Sequence, residues 1–252
     1  NIEDYEMSRK GMNGMDKPNY RRVLLKCSGE ALAGKDGRGL DFAFIRQVCQ
    51  AVKDCTAMGV QVGIVVGGGN FWRGAKDGGD RMQRSRADHM GMLATVINCL
   101  AVQDTLEQLG QSAKVLTAMP MGSMTEPYSY AAADRWLSEG TVVIFGGGTG
   151  NPYFSTDTAA VLRAVEIGAD VILLAKNIDG VYSADPHKDP TAVRYDRISY
   201  DQVLAGHLQV MDLPATSLAL ENHVPTMIFA LADPENIVRA VRGEAIGTIV
   251  EE

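Results

Sequence analysis

Short hydrophobic runs recur along the chain, and most of them end in glycine or in a polar residue. They predict strands over residues 22–27, 60–66, 113–116, 141–145, 171–175, 226–230 and 248–250. Hydrophobic residues at helical spacing predict helices over residues 41–58, 85–109, 131–139, 157–167 and 213–221. Strands that alternate with helices indicate an α/β fold, with a mostly parallel sheet between two layers of helices.

The stretch 62–74, VGIVVGGGNFWRG, carries the strongest functional signal. A buried strand runs into Gly67, Gly68 and Gly69, and the stretch reaches the cation Arg73 just before its end. Glycines at the carboxyl end of a strand let a ligand approach the backbone, and ligands of open α/β sheets lie at this end. Arginine suits phosphate because its planar fork is permanently charged. The pattern therefore predicts a bound anion, of which phosphate is the best match.

Two other strands end in polar residues. Lys26 follows a hydrophobic run and precedes Ser28 and Gly29; taken alone, such a lysine is more often simply exposed. The segment 146–157, GGGTGNPYFSTD, leads into a helix that Thr156 is expected to cap, and helix N-termini bind anions. Neither a P-loop nor a G-x-G-x-x-G motif after a strand is present, which disfavours P-loop kinases and ordinary Rossmann dehydrogenases.

Composition limits the class of protein. The 252 residues are 46% hydrophobic and 22% charged, and the net charge of −7 argues against a nucleic-acid partner. No hydrophobic run is long enough to span a membrane, and the polar segment 1–19 reads as a loose tail rather than a secretion signal. The spacing of Cys27, Cys49, Cys55 and Cys99 indicates reduced core thiols, so we expect a cytoplasmic protein.

These motifs together resemble those of bacterial uridylate (UMP) kinases, in the amino-acid kinase superfamily. The resemblance runs from about Tyr20 to Glu252 through LLKCSGEAL, VVGGGNFWRG, ADHMGMLATVIN, GTGNPYFSTD, DGVYSADP and FALADPENI. It implies a single domain over 20–252, folded as a three-layer αβα sandwich. It also implies transfer of a phosphoryl group from MgATP to UMP, giving UDP in pyrimidine nucleotide biosynthesis. Members of this family are usually hexamers that GTP activates and UTP inhibits.

The resemblance further implies a role for each matching residue. Lys26, Arg73 and Asp157 would be catalytic, with Asp157 orienting Lys26. ATP would bind against Lys26, Ser28, Gly29, Gly69, Arg73, Asn177, Tyr182 and Asp185. UMP would bind against Gly68, Asp88, Thr149, Gly150, Asn151, Pro152, Tyr153, Phe154, Ser155 and Thr156. GTP would act at Gly34, Lys35, Asp36, Gly37, Arg38 and Gly39. Mg²⁺ would arrive with ATP, held mainly by phosphates, without an assigned protein ligand.

Simpler or different interpretations stay open for several of these residues. Asp88 could merely balance a helix dipole, and Asp179 with Gly180 could form a hairpin turn. The chain could instead be a related kinase that phosphorylates a carboxylate such as an amino acid or carbamate, although GTGNPYFSTD argues against this. It could also be a non-catalytic nucleotide- or oxyanion-binding protein, because fold does not fix function. The joint presence of Lys26 and Asp157 favours catalysis.

Overall fold

The structure, a computed structural model, describes residues 17–252 except 187 and 209, and it describes residues 35, 36 and 75 by their backbone only. Its strands are β1 (Arg22–Cys27), β2 (Gln61–Val66), β3 (Ala113–Thr117), β4 (Glu126–Pro127), β5 (Val142–Gly146), β6 (Val171–Lys176), β7 (Arg197–Ser199), β8 (Thr226–Ala230) and β9 (Thr248–Glu251). Its α-helices are α1 (Phe42–Ala57), α2 (Arg84–Gln108), α3 (Tyr130–Ser138), α4 (Thr156–Ile167), α5 (Tyr200–Ala205), α6 (Leu213–Glu221) and α7 (Glu235–Val241). Shorter helical turns span Ala31–Asp36, Gly74–Gly78 and Gly79–Arg81.

These strands form one sheet in the order β4-β3-β5-β2-β1-β6-β8-β9-β7. Neighbouring strands run parallel everywhere except between β8 and β9, which are antiparallel. β1 lies at the centre, between β2 and β6. Helices cover both faces of the sheet, so the predicted α/β fold with a mostly parallel sheet between two helical layers is confirmed.

Side chains of β1 alternate between two hydrophobic cores. Val23 and Leu25 pack on one face with α1, α2 and α7, whereas Leu24 packs on the other face with α3, α4, α5 and α6. Because side chains alternate along a strand, Lys26 lies on the face of Leu24, towards α4. The alternation thus sets the position of the first candidate site residue.

The predicted strands and the five predicted helices agree with the observed ones to within one residue at each end. The short strands β4 and β7 were not predicted, because they are too short to show a hydrophobic pattern. The predicted cap of α4 is wrong: the Ser155 hydroxyl, not Thr156, accepts hydrogen bonds from the amides of Asp157 (3.0 Å) and Thr158 (3.1 Å). A serine or threonine can fill this role, so sequence alone did not separate them.

Two residues just before Tyr20 contact the rest of the chain. Pro18 is buried, and the amide of Asn19 donates a hydrogen bond to the carbonyl of Val241 (2.8 Å). Residues 1–16 of the predicted tail lie outside the described residues. None of the helices in the described part of the chain combines the length and the hydrophobicity needed to cross a membrane.

Candidate active site

Four parallel strands end side by side at one edge of the sheet. Lys26 of β1 lies in register with Val65 of β2, which lies in register with Phe145 of β5. On the other side, Cys27 lies in register with Ala175 of β6. The three polar segments that follow β1, β2 and β5 therefore meet, and the end of β6 joins them. In α/β sheets the carboxyl edge of the strands is the usual position of a ligand.

A buried ion pair lies at the centre of this edge. The ammonium of Lys26 contacts Asp157 Oδ1, and the side chains are only 10% and 17% exposed. Asp157 lies in the first turn of α4, and the Ser155 hydroxyl caps this turn by accepting from the Asp157 amide. Since buried charges need partners, each side chain holds the other in one position. The structure thus brings together two of the residues that the resemblance marks as catalytic.

Two buried asparagines hold the triple-glycine loop. The Asn70 amide donates to the carbonyl of Gly39 (2.7 Å) and to Asn98 Oδ1 (2.9 Å). The Asn98 amide donates to Asn70 Oδ1 (2.8 Å) and to the carbonyl of Gly67 (2.6 Å). A Cβ on Gly29 would lie 2.4 Å from Asn70 Oδ1 and 2.6 Å from the Gly67 carbonyl oxygen. Only glycine at position 29 lets the β1 and β2 loops pack this closely.

Arg73 lies at the outer end of the same loop. Its guanidinium forms an ion pair with Glu30, and its backbone amide donates to Asp77 Oδ2 (2.7 Å). The Arg73 side chain is about half exposed, at 45%. The arginine is therefore held near the loop that follows β1 while its guanidinium still reaches solvent and a prospective anion.

A cleft of about 320 Å³ opens between the triple-glycine loop, α2 and the loop before α4. It is lined by eight residues that the resemblance marks: Gly68, Gly69, Arg73, Asp88, Thr149, Phe154, Ser155 and Thr156. It is also lined by residues that sequence reasoning missed: Trp72, Gly74, Arg84, Gly91, Met92, Thr95 and Gly148. Gly150, Asn151, Pro152 and Tyr153 belong to the same loop but do not line the cleft. Eight of the ten residues assigned to UMP thus belong to one segment, 149–156, and six of the ten, including Gly68 and Asp88, line one cavity.

Asp88 connects helix α2 to the loop before α4. One carboxylate oxygen accepts a hydrogen bond from the backbone amide of Tyr153 (2.8 Å), and both oxygens accept from Arg84 Nε (2.8 and 2.9 Å). Tyr153 has a φ of 72°, which is uncommon for a residue with a Cβ. Asp88 therefore supports a specific loop conformation, and dipole compensation alone does not account for its contacts.

A second and larger cleft, of about 630 Å³, lies beyond the end of β6. Tyr182 and Asp185 line it, as does Lys176, whereas Asn177 is exposed and does not. The Tyr182 hydroxyl donates to Asp179 Oδ1 (2.9 Å), and this hydrogen bond raises the pKa of Tyr182. Instead of a tight hairpin turn at Asp179 and Gly180, the chain forms a longer loop, which an antiparallel bridge between Tyr182 and Arg194 closes. Two of the three residues assigned to the ATP nucleoside therefore share this cavity.

Lys176 and Asp212, to which sequence reasoning assigned no role, lie near the Lys26–Asp157 pair. The ammonium of Lys176 donates to the carbonyl of Val210. Asp212 caps α6 and accepts a hydrogen bond from the Thr158 hydroxyl (3.2 Å). Burial lowers the pKa of Lys176, and the nearby carboxylate of Asp157 partly opposes this effect. No local sequence pattern marks these residues, because their partners are distant in the chain.

The segment assigned to GTP lies next to the triple-glycine loop. Besides the side-chain contact already described, the amide of Gly39 donates to the carbonyl of Asn70 (3.3 Å). Gly37 and Arg38 line a third cleft of about 350 Å³, which Arg73 and Lys76 also line. Ser28 lies nearby, where its hydroxyl accepts from the amide of Ala31 (3.1 Å). The side chains of Lys35 and Asp36 lie outside the described residues.

This arrangement suits the meeting of two anions. Glycines of the triple-glycine loop, Arg73 and Thr156 at the start of α4 line the smaller cleft, and the buried Lys26 pairs with Asp157, the residue after Thr156. Such donors stabilise the charge of a transferring phosphoryl group. Among the side chains that the structure describes, no group of three His, Cys, Asp or Glu residues could hold a metal ion.

Comparisons with known proteins agree with this geometry. The model of the amino acid kinase family matches residues 21–230. A UMP kinase from Bacillus anthracis is 35% identical, with a TM-score of 0.89, over 92% of this chain and 96% of that one. A UMP kinase from Ureaplasma parvum is 36% identical, with a TM-score of 0.88, over 92% of this chain and 99% of that one.

An archaeal structure is more distant but still aligns over most of its length. The uridylate kinase from Archaeoglobus fulgidus is 31% identical, with a TM-score of 0.70, over 90% of this chain and 99% of that one. The match to the family model, over residues 21–230, covers the strand ends that build both clefts. The chain therefore belongs to the amino acid kinase family and, within it, to the UMP kinases.

Proposed function

We propose that this protein transfers the γ-phosphoryl group of MgATP to UMP, giving ADP and UDP. The observation that carries the proposal is the buried Lys26–Asp157 ion pair, which lies at the carboxyl edge of the sheet next to Thr156 of the smaller cleft. The cleft beside the 146–157 loop would hold UMP, and the cleft with Tyr182 and Asp185 would hold the nucleoside of ATP. The phosphates would then meet over Lys26.

The reaction needs charge stabilisation more than it needs a base. A phosphate monoester has a second pKa of about 6, so the UMP phosphate is mostly dianionic at neutral pH and is already a nucleophile. The remaining obstacle is to bring two polyanions into line. Lys26 and Arg73 would offset their charge, with Gly68 and Gly69 leaving room for the phosphates. Asp157 holds the Lys26 ammonium at the place where it is needed.

Magnesium would enter with ATP. Mg²⁺ usually keeps several waters and binds through one or two carboxylates plus substrate phosphates, rather than in an all-protein cage. The phosphates of ATP would hold most of the ion, and we assign it no protein ligand. Bound to them, the ion would neutralise charge that develops on the β- and γ-phosphates.

An ATP-consumption assay tests the proposed activity. Purified protein is incubated with MgATP and one acceptor: UMP, CMP, an amino acid or carbamate. We expect ADP release with UMP, and a folded Lys26→Ala protein as the control should lose most of kcat while UMP affinity changes much less. Release with a carboxylate instead of UMP would assign the chain to a different reaction of the family. No release with any acceptor would favour a binding protein.

We also propose that the chain forms a homohexamer in the cytoplasm, as a single domain over 20–252. An exposed hydrophobic stripe on α2, formed by Met90, Leu93 and Ile97, supports association. Light scattering gives the mass in solution. A stable monomer at working concentration would refute the hexamer.

We propose in addition that GTP activates the enzyme through residues 34–39 and that UTP inhibits it. The contacts between Gly39 and Asn70 support this, because they join that segment to the loop that would face the phosphates. Substituting Lys35→Ala together with Arg38→Ala should weaken the GTP response more than basal turnover. An unchanged GTP response in this double variant would place the effector site elsewhere.

A further inference from the structure

Asn98 lies in helix α2, and its side chain is completely buried, at 0% exposure. Its amide nitrogen donates to the carbonyl of Gly67 (2.6 Å) and to Asn70 Oδ1 (2.8 Å), and its oxygen accepts from the Asn70 amide (2.9 Å). Both partners belong to the loop that follows β2. A buried amide is costly unless it is hydrogen-bonded, so these contacts hold the loop and α2 in one relative position.

The hydrogen bond to Gly67 fixes the direction of a second group. The carbonyl of Gly67 and the amide of Gly68 belong to the same planar peptide group, and the described part of the chain has only trans peptide bonds. In a trans peptide the C=O and the N–H point in opposite directions. Asn98 therefore sets the direction of the Gly68 amide, although it contacts only the carbonyl before it.

The amides of Gly68 and Gly69 are donors beside the smaller cleft. Both glycines line this cleft, and no carbonyl of the described backbone accepts a hydrogen bond from either amide. Three glycines in a row have wide conformational freedom, so their amides need an outside contact to keep one direction. Donors that are held in place before the reaction stabilise the charge of a transition state best.

The same side of α2 makes the other contacts to the loops around this cleft. Asp88, Thr95 and Asn98 are separated by seven and three residues, which places them on one face of a helix. The Thr95 hydroxyl accepts from the amide of Gly147 (2.8 Å), at the start of the loop after β5, and Asp88 accepts from the amide of Tyr153 further along that loop. Asn98 adds the β2 loop, so one polar stripe joins both loops to one helix.

We propose that Asn98 is a positioning residue for phosphoryl transfer, and that it acts through Gly67 and Asn70 to orient the amides of the triple-glycine loop. This inference rests on the proposed function, because it takes phosphoryl transfer as the reaction at this edge of the sheet. Asn98 itself lines neither the smaller nor the larger cleft, so its effect reaches the substrates through the loop.

Substituting Asn98→Leu removes both donors and keeps a side chain of similar size. A misplacement of about 1 Å can cost a hundredfold in rate, so we expect kcat to fall about a hundredfold. The KM values for UMP and ATP should change by no more than about fivefold, because the lost contacts act mainly in the transition state. Steady-state kinetics with each substrate varied in turn measure both constants.

A second variant, Asn98→Asp, serves if Asn98→Leu does not fold. It keeps the shape of the side chain but places an oxygen opposite the carbonyl of Gly67 in place of the donor. Since an ionised carboxylate only accepts hydrogen bonds, we expect kcat at pH 8 to fall at least as far as in Asn98→Leu. Wild-type kcat in a folded Asn98→Asp protein would overturn the proposal.

The matched control is Asn236→Leu. Asn236 of α7 also donates its side-chain amide to a carbonyl at the carboxyl end of a strand, that of Ala230 in β8 (2.9 Å), but it lines neither of the two clefts. A purely structural Asn98 would behave like Asn236: its loss would lower the melting temperature and leave kcat unchanged. That result for Asn98→Leu would refute the role.

Hydrogen exchange measures the position of the loop without catalysis. The amides of Gly67, Phe71 and Trp72 donate to backbone carbonyls at 2.9–3.0 Å, and these hydrogen bonds depend on the loop conformation. In the nucleotide-free protein we expect a peptide that spans residues 67–72 to exchange faster in Asn98→Leu than in the wild type. The same peptide should exchange at the wild-type rate in Asn236→Leu.

Failure of the inference can be told from failure of the proposed function. If the wild type turns over UMP but Asn98→Leu keeps its kcat, only the inference is wrong. If the wild type does not turn over UMP, hydrogen exchange still compares the wild type, Asn98→Leu and Asn236→Leu. Equal exchange of residues 67–72 in all three proteins would show that Asn98 does not position the loop.

Discussion

Removing Asp157 should destabilise the protein more than removing Lys26. Without Asp157, the ammoniums of Lys26 and Lys176 repel each other in a partly buried site, and the carboxylate of Asp212 offsets this only in part. Without Lys26, the carboxylate of Asp157 still has Lys176 close by. The asymmetry follows from the third charge at the site, because an isolated ion pair would lose similar stabilisation from either side.

The magnitudes follow from the burial of the pair. Leaving one partner of a buried pair uncompensated costs about 3–5 kcal/mol, so we expect this loss for Asp157→Leu. For Lys26→Met we expect an ordinary loss of about 0.5–3 kcal/mol. Replacing both charges by hydrophobic residues is often close to neutral, so the double variant should be more stable than Asp157→Leu alone.

Urea unfolding followed by circular dichroism measures these differences. With a slope of about 3 kcal/mol/M, a loss of 3–5 kcal/mol lowers the midpoint by about 1–1.7 M. All variants must be compared at one protein concentration, because association changes apparent stability. A midpoint for Asp157→Leu that equals or exceeds that for Lys26→Met would refute the reasoning.

Three further predictions follow from other contacts. Asp88→Ala should raise the KM for UMP roughly ten- to a hundredfold. Asp88→Asn should raise it less, because an amide oxygen can still accept a hydrogen bond from Tyr153. If the melting temperature falls but the KM for UMP does not change, the role of Asp88 is structural only. Gly29→Ala should lower kcat, because its Cβ would displace Asn70 and the loop after β2. Gly168→Ala, at a helix end with open space around it, should lower only the stability. An equal kcat in the two variants would contradict this prediction. Burial raises the pKa of each cysteine thiol to about 12. The native protein should therefore not react with a thiol reagent at pH 8, and its free energy of unfolding should decline as the pH rises from about 9 towards 12. Rapid labelling of the folded protein would contradict this prediction. The thiols concerned are Cys27, Cys49, Cys55 and Cys99.

The sequence by itself determined the longer strands and helices of the fold and their order along the chain. Strands such as β5 are buried on both faces, so they appear as uninterrupted hydrophobic runs, whereas α1 shows helical spacing because only one side meets the core. The glycines after β2 and the polar segment before α4 also marked the edge of the sheet that carries the clefts. These signals are local, since the type of each residue depends on its own burial or on the backbone conformation at its position. The motifs also predicted the family, which the comparisons confirm.

The tertiary structure alone decided which polar residues act together. The Asn70–Asn98 amide pair, the Asp88–Tyr153 contact and the position of Lys176 near Asp157 join residues that are far apart in the chain. They depend on β6 lying beside β1 and on α2 packing against the β2 loop. A polar residue that is buried by a distant partner has the same local pattern as one that faces water. Its role therefore becomes visible only when the packing brings the partner to it.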